Sequence, residues 1–146
     1  MKRQCCLIVD GHSTVFSLPD LRRIHGSSPA RARQELEKRL LHYQDNSGVS
    51  VILVFDGAGE RVSSEREGGG VQVIYSDRGR TADDVVERLV AKYAGKYELT
   101  VVTDHYAEQE TVRALDAFAI GVEGLVDLLS SAEREFQERL RKHRKR

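Results

Sequence analysis

Three apolar runs stand out along the chain: CCLIV at 5–9, VILVF within VSVILVFD at 49–56, and LTVV within ELTVVT at 98–103. Short runs without polar alternation suit strands buried on both faces. Each run gives way to an aspartate: Asp10, Asp56 and Asp104. VQVIY at 71–75 alternates and reads as a more exposed strand, and AFAI at 117–120 as a short one. Between them the apolar positions take helical spacing. A short amphipathic piece covers 18–24 and meets a Gly-Ser-Ser-Pro break at 26–29. A helix over 30–43 carries Leu36, Leu40, Leu41 and Tyr43 on one side. The spacing predicts further helices over 81–93, with Val85, Val86, Leu89 and Val90 inward, over 108–115, and from 122 to about 142. The glycine-rich stretch 57–70 reads as a mobile loop.

Strands alternating with helices predict an α/β domain: a mostly parallel central sheet, right-handed crossovers, helices on both faces and a long C-terminal helix. Ligands of such sheets bind beyond the carboxyl ends of the strands. Asp10, Asp56 and Asp104 are therefore expected along one edge. Asp83 and Asp84 join them if the 76–80 loop returns the chain there. Thr81 and Asp84 also have capping-box spacing, which gives that pair a structural reading as well. Glu87, one turn beyond Asp83, reads as a solvated face charge. Several carboxylates on one edge repel unless something compensates, and oxygen ligands in that number suit Mg²⁺ or Mn²⁺. Such an ion would activate water and neutralise charge at a phosphate.

Composition changes this picture little. The 146 residues suggest one domain, and 23 basic residues cancel 23 acidic ones. The distribution is less even, because RLRKHRKR at 139–146 holds six fixed positive charges and no acid. Arg139, Arg141, Lys142, Arg144, Lys145 and Arg146 are either solvated charge at a helix end or RNA phosphate contacts, with Arg22, Arg23, Arg31 and Arg33 extending a track towards the pocket. Few aromatics are available for base stacking, so sequence-specific recognition of single strands has little support, and no DNA preference is derivable. Cys5 and Cys6 read as small buried residues of a reducing compartment, since neighbours on a strand point to opposite faces. The N-terminal apolar run is too short for a signal peptide and no segment is long enough to span a membrane, so a soluble cytoplasmic protein is expected.

LIVDG at 7–11, VFDG at 54–57, TADDVVERL at 81–89 and VVTDHYAEQ at 101–109 resemble, in order and spacing, the YacP-like branch of the NYN domains, which are PIN-like ribonucleases. The resemblance implies a single PIN-like (NYN) domain, placed at 1–138 with a basic tail at 139–146, and metal-dependent hydrolysis of RNA phosphodiester bonds. It implies Asp10 and Asp83 as catalytic metal ligands, with Asp56 and Asp84 in support. Two positions depart from the family's pattern. Ser13 stands where the family has the Asn of D-G-Y-N. In Thr103-Asp104-His105-Tyr106 the family's Asp position is His105, and the carboxylate has moved back to Asp104. Asp104 is accordingly expected as the third catalytic metal ligand, with Ser13 and His105 in support.

A metal-dependent endoribonuclease is thus the leading expectation. Its alternative is a catalytically weakened RNA- or ribosome-binding module of the same fold. A phosphoacceptor receiver domain fits poorly, because Gly11 stands where a second acid should pair with Asp10 and no lysine closes the AFAI strand.

Overall fold

The computed structural model describes residues 3–57, 70–77 and 79–144. The loop expected at 57–70 lies outside them apart from its two end glycines, as do Lys145 and Arg146. Five strands, β1 (Gln4–Asp10), β2 (Ser50–Phe55), β3 (Gln72–Tyr75), β4 (Tyr97–Val102) and β5 (Phe118–Ile120), form one sheet of order β3-β2-β1-β4-β5. Every pairing is parallel. Six helices connect and follow them: α1 (Gly11–Ser17), α2 (Pro19–Ser27), α3 (Pro29–Ser47), α4 (Ala82–Tyr93), α5 (Tyr106–Ala114) and α6 (Val122–Arg144). No helix among the described residues is long and apolar enough to cross a membrane.

The unbroken apolar runs are explained by two cores, one on each sheet face. Leu7, Val9, Val51, Leu53 and Phe55 pack with Val15, Leu21, Leu36, Leu40 and Leu125 from α1, α2, α3 and α6. The alternate residues Cys6, Ile8, Val54, Leu99 and Val101 pack with Val86, Val90 and Val112 from α4 and α5. A strand sandwiched in this way has no face to spare for polar residues.

Three local expectations change. A helix begins directly at Gly11, where GHSTVFS gives little helical signal because its hydroxyl and β-branched residues favour other conformations. The Asp10 carboxylate supplies what propensity does not, accepting the N–H groups of His12 and Ser13. The break at 26–29 shrinks to Ser28, whose side chain caps α3 while Pro29 takes its first position. Cys5 is exposed rather than buried, since β1 only enters the core at Cys6.

Gly11 is a glycine for want of space. A Cβ there would meet the Phe55 ring at 2.2 Å, and that ring is itself held against Tyr75, with centroids 5.7 Å apart. Gly11→Ala is expected to destabilise the fold by about 1–3 kcal/mol, the range for overpacked cores. Chemical denaturation would measure it, and trimming Phe55 to Leu should recover part of the loss.

Candidate active site

The order β3-β2-β1-β4-β5 places its topological switch between β1 and β4, the crevice where open α/β sheets bind ligands. Asp10 ends β1 at that point and is 3% exposed. Four donors hold its carboxylate. Oδ1 accepts the N–H groups of His12 (3.1 Å) and Ser13 (3.3 Å). Oδ2 accepts the hydroxyls of Ser13 (3.0 Å) and Thr103 (3.2 Å). Thr103, buried at the end of β4, also accepts the His105 N–H at 3.1 Å, so the two strand ends are tied through a pair of hydroxyls.

His105 leaves β4 on the side of this carboxylate. Its Nδ1 lies 3.9 Å from Asp10 Oδ2 and 3.6 Å from Asp83 Oδ2. Asp10, Asp83 and His105 can each offer one ligand atom, all within 4.8 Å of one another, which makes them a candidate metal group. They grade from buried Asp10 through half-buried Asp83 to exposed His105, so the group opens to solvent on one side.

Two further acids surround it. Glu108, on the first turn of α5, is 4% exposed, and its Oε1 is buried without a hydrogen-bond partner among the described residues. Burial, followed by the proximity of Glu87, Asp83 and Asp10, pushes its pKa up to about 8. Burial also raises the pKa of Asp83, and the charges of Asp10 and Glu87 add to the rise while His105 opposes it. Carboxylates beside an imidazole, with an unpartnered carboxyl oxygen behind them, fit a divalent cation. Glu108 was not singled out from sequence, although it follows His105 by three residues on a helix and so shares its side. Glu87 was set down as a surface charge, yet it faces Glu108. Thr103 enters the sequence reading as the start of the Thr103-Asp104-His105-Tyr106 motif, with no role of its own.

The remaining sequence-derived residues take other positions. Asp104 does not join the group. Its Oδ1 accepts the Val122 N–H at 2.8 Å and its Oδ2 the Ser17 hydroxyl at 2.5 Å, so it joins α1 to the first turn of α6. Gly121 leaves room for this, because a Cβ there would lie 2.9 Å from Asp104 Oδ1. Asp56 accepts the Ala82 N–H at 2.6 Å, at the start of α4. Asp84 closes a capping box with Thr81. Ser13, short where an amide was anticipated, bridges Asp10 and the backbone of Asp104.

Among the arginines singled out from sequence, Arg33 lies over the Phe55 ring, with its guanidinium carbon 6.0 Å from the ring centroid. Arg22, Arg23 and Arg31 are exposed on α2 and the first turn of α3. Arg139 donates to the Asn46 carbonyl at 3.1 Å and Arg141 pairs with Glu138 at 3.2 Å. Lys142 and Arg144 are exposed. Since α6 starts beside Asp104 and rises ~1.5 Å per residue, its basic end lies about 30 Å along the helix from the acidic group. The cations therefore do not form one continuous track.

Two crystal structures of Rae1 (YacP) from Bacillus subtilis superpose on the chain. A point mutant gives a TM-score of 0.79 at 27% identity, covering 97% of this chain and 84% of that one. The other gives 0.75 at 29%, covering 94% and 80%. An uncharacterised protein YacP of Bacillus subtilis (strain 168) is 28% identical over 142 residues, which is 93% of this chain and 81% of the relative. The family model for the YacP-like NYN domain matches residues 7–146. The chain belongs to the YacP-like NYN domain family, which has a PIN-like nuclease fold.

Proposed function

We propose that the protein is a metal-dependent endoribonuclease that hydrolyses RNA phosphodiester bonds beyond the carboxyl ends of β1 and β4. The observation that carries this reading is the convergence of Asp10, Asp83 and His105 to within 4.8 Å at the switch point of the sheet. Asp10, Asp83 and His105 would hold Mg²⁺ or Mn²⁺, with Glu108 and Glu87 behind them. When bound, such an ion lowers the pKa of water and stabilises charge developing on the phosphate. The chain supplies the positioning. Four donors fix the Asp10 carboxylate in one orientation, so nothing is spent on reorganising it during reaction. Asp83, on the open side of the group, meets the substrate's approach. Glu108 carries a proton at neutral pH and would lose it to solvent when a cation arrives, as protonated ligands do. Arg33 supplies positive charge on the β2 side, and the cations at the end of α6 would act as a remote second anchor on RNA.

Incubation of purified protein with a mixed RNA in Mn²⁺, Mg²⁺ or EDTA tests this. Cleavage should require the cation and fall by on the order of 10² or more in Asp83→Asn. Cleavage that persists in EDTA or in that variant would refute the assignment. RNA that is bound but left intact under all three conditions would favour the weakened binding module, for which the departure at His105 is the motivating observation.

The position of Asp104 separates support from ligation. Asp104→Asn is expected to lower stability by about 1 kcal/mol through the lost contacts with Val122 and Ser17, with Mn²⁺ affinity unchanged. Asp83→Asn should do the reverse. Paired denaturation and calorimetric titration would check both.

Glu108 makes stability depend on pH. Its pKa rises from 4.5 to about 8 on folding. Between those values the folded chain keeps a proton that the unfolded chain has released, so stability falls as pH rises through that window and levels off above it. Glu108→Gln removes the dependence. In EDTA its melting temperature should exceed that of the unmodified protein at pH 8, by a gain worth at most a few kcal/mol, and the gain should vanish near pH 4.5. Parallel melts across that range measure it.

A further inference from the structure

We propose that a small cavity on the β2 side of the acidic group is a nucleobase subsite, matched by its polar groups to guanine. This rests on the ribonuclease reading and assigns that site a substrate preference. The cavity, of about 130 Å³, is lined by His12, Phe16, His25, Arg33, Phe55 and Asp56 together with two α1 residues. It adjoins the acidic group directly. The His12 backbone donates to Asp10 Oδ1 at 3.1 Å, while its ring faces the cavity. Asp56 extends two residues beyond the level of Asp10 on the neighbouring strand, ~4.8 Å away across the sheet. A phosphate at Asp10 and Asp83 would thus leave an attached nucleotide within reach of the cavity.

The walls have the character a base needs. His12 and Phe16 rings lie 4.5 Å apart, and Phe16 and His25 rings 4.6 Å apart edge-on. Phe16 remains 37% exposed although it is a large apolar side chain on a packed helix. A planar base laid against these rings would cover it, and such stacking contributes about 1–3 kcal/mol per base. Two phenylalanines and two histidines of the chain are thus gathered at this cavity. The polar groups narrow the choice of base. Asp56 gives one oxygen to Ala82, and its other has no partner among the described residues. It is an acceptor only, and Arg33, which lines the same cavity, is a donor only. Guanine offers adjacent N–H donors for a carboxylate and the O6/N7 acceptor pair that a guanidinium grips.

The test separates this proposal from the nuclease reading. Side-chain NMR of His12, His25 and Phe16 in EDTA, titrated with each of the four nucleoside 5′-monophosphates, reads the subsite without cleavage. Saturable shifts are expected with GMP, at least tenfold weaker with the other three, unchanged in Asp83→Asn and about tenfold weakened in Arg33→Gln. The cut positions in a random-sequence RNA should show guanine enriched at one fixed place beside the cut, and Arg33→Gln should relax that bias among the cuts that remain, whatever its effect on overall rate. Cutting without positional bias, together with no shifts at these rings, would overturn the subsite and leave the nuclease standing. Guanine-selective shifts without any cleavage would support the subsite and count against the nuclease. Equal shifts with all four nucleotides would overturn the match to guanine.

Discussion

The structure depends on what happens where a buried strand ends. Asp10, Asp56 and Asp104 each accept the backbone N–H of a helix's first turn: Asp10 from α1, Asp56 from α4 and Asp104 from α6. Each helix start has N–H groups that no turn of its own can satisfy, and a partial positive charge that favours a carboxylate. One residue type placed after each buried run therefore closes the sheet edge and aims three helices. Only α1 directly follows the strand that caps it. The other two caps reach across 26 and 18 residues of sequence, so they set the packing of whole layers.

That arrangement also divides labour among the acids. Asp104 has both carboxylate oxygens committed to N–H and O–H donors, and Asp56 commits one of its oxygens to the start of α4. Asp10 is held by four donors, yet it still faces Asp83 and His105. Beyond it the compensation runs out. Glu108 sits buried with an unpartnered oxygen beside Glu87 and Asp83, and the fold can keep it there without a cation only by leaving it protonated. The carboxyl edge thus passes from acids tied to helix starts to a crowded group around Asp10, Asp83 and Glu108, which is where a cation could be held.

Much of the fold was legible because a strand buried on both faces leaves an unmistakable apolar run, and three such runs with two weaker strands, in alternation with helices, admit few topologies. The order and spacing of the four motifs likewise pointed to the family. What escaped was set by contacts distant in sequence. No local pattern distinguishes Asp104, turned towards Val122, from an acid aimed at a metal. GHSTVFS becomes helical because Asp10 caps it, and its own propensities predict otherwise. Glu108 looked like one more charge on an amphipathic helix, since its burial arises from α4 packing beside α5. The distance of the α6 cations from the acidic group depends on the direction of that helix, which no local pattern gives.

The exchange at 104–105 follows from the same geometry. Asp104 lies in a bend just beyond β4. There His105 points towards Asp10 and Asp83 while Asp104 reaches Val122 and Ser17, in the room left by Gly121. Moving the carboxylate back by one residue therefore leaves two consequences that compensate each other. The α6 start gains a cap that Gly121 cannot provide. The acidic group, already burdened by Asp83, Glu87 and Glu108, receives an imidazole in place of another negative charge, and this softens the repulsion while keeping a ligand atom at the same edge.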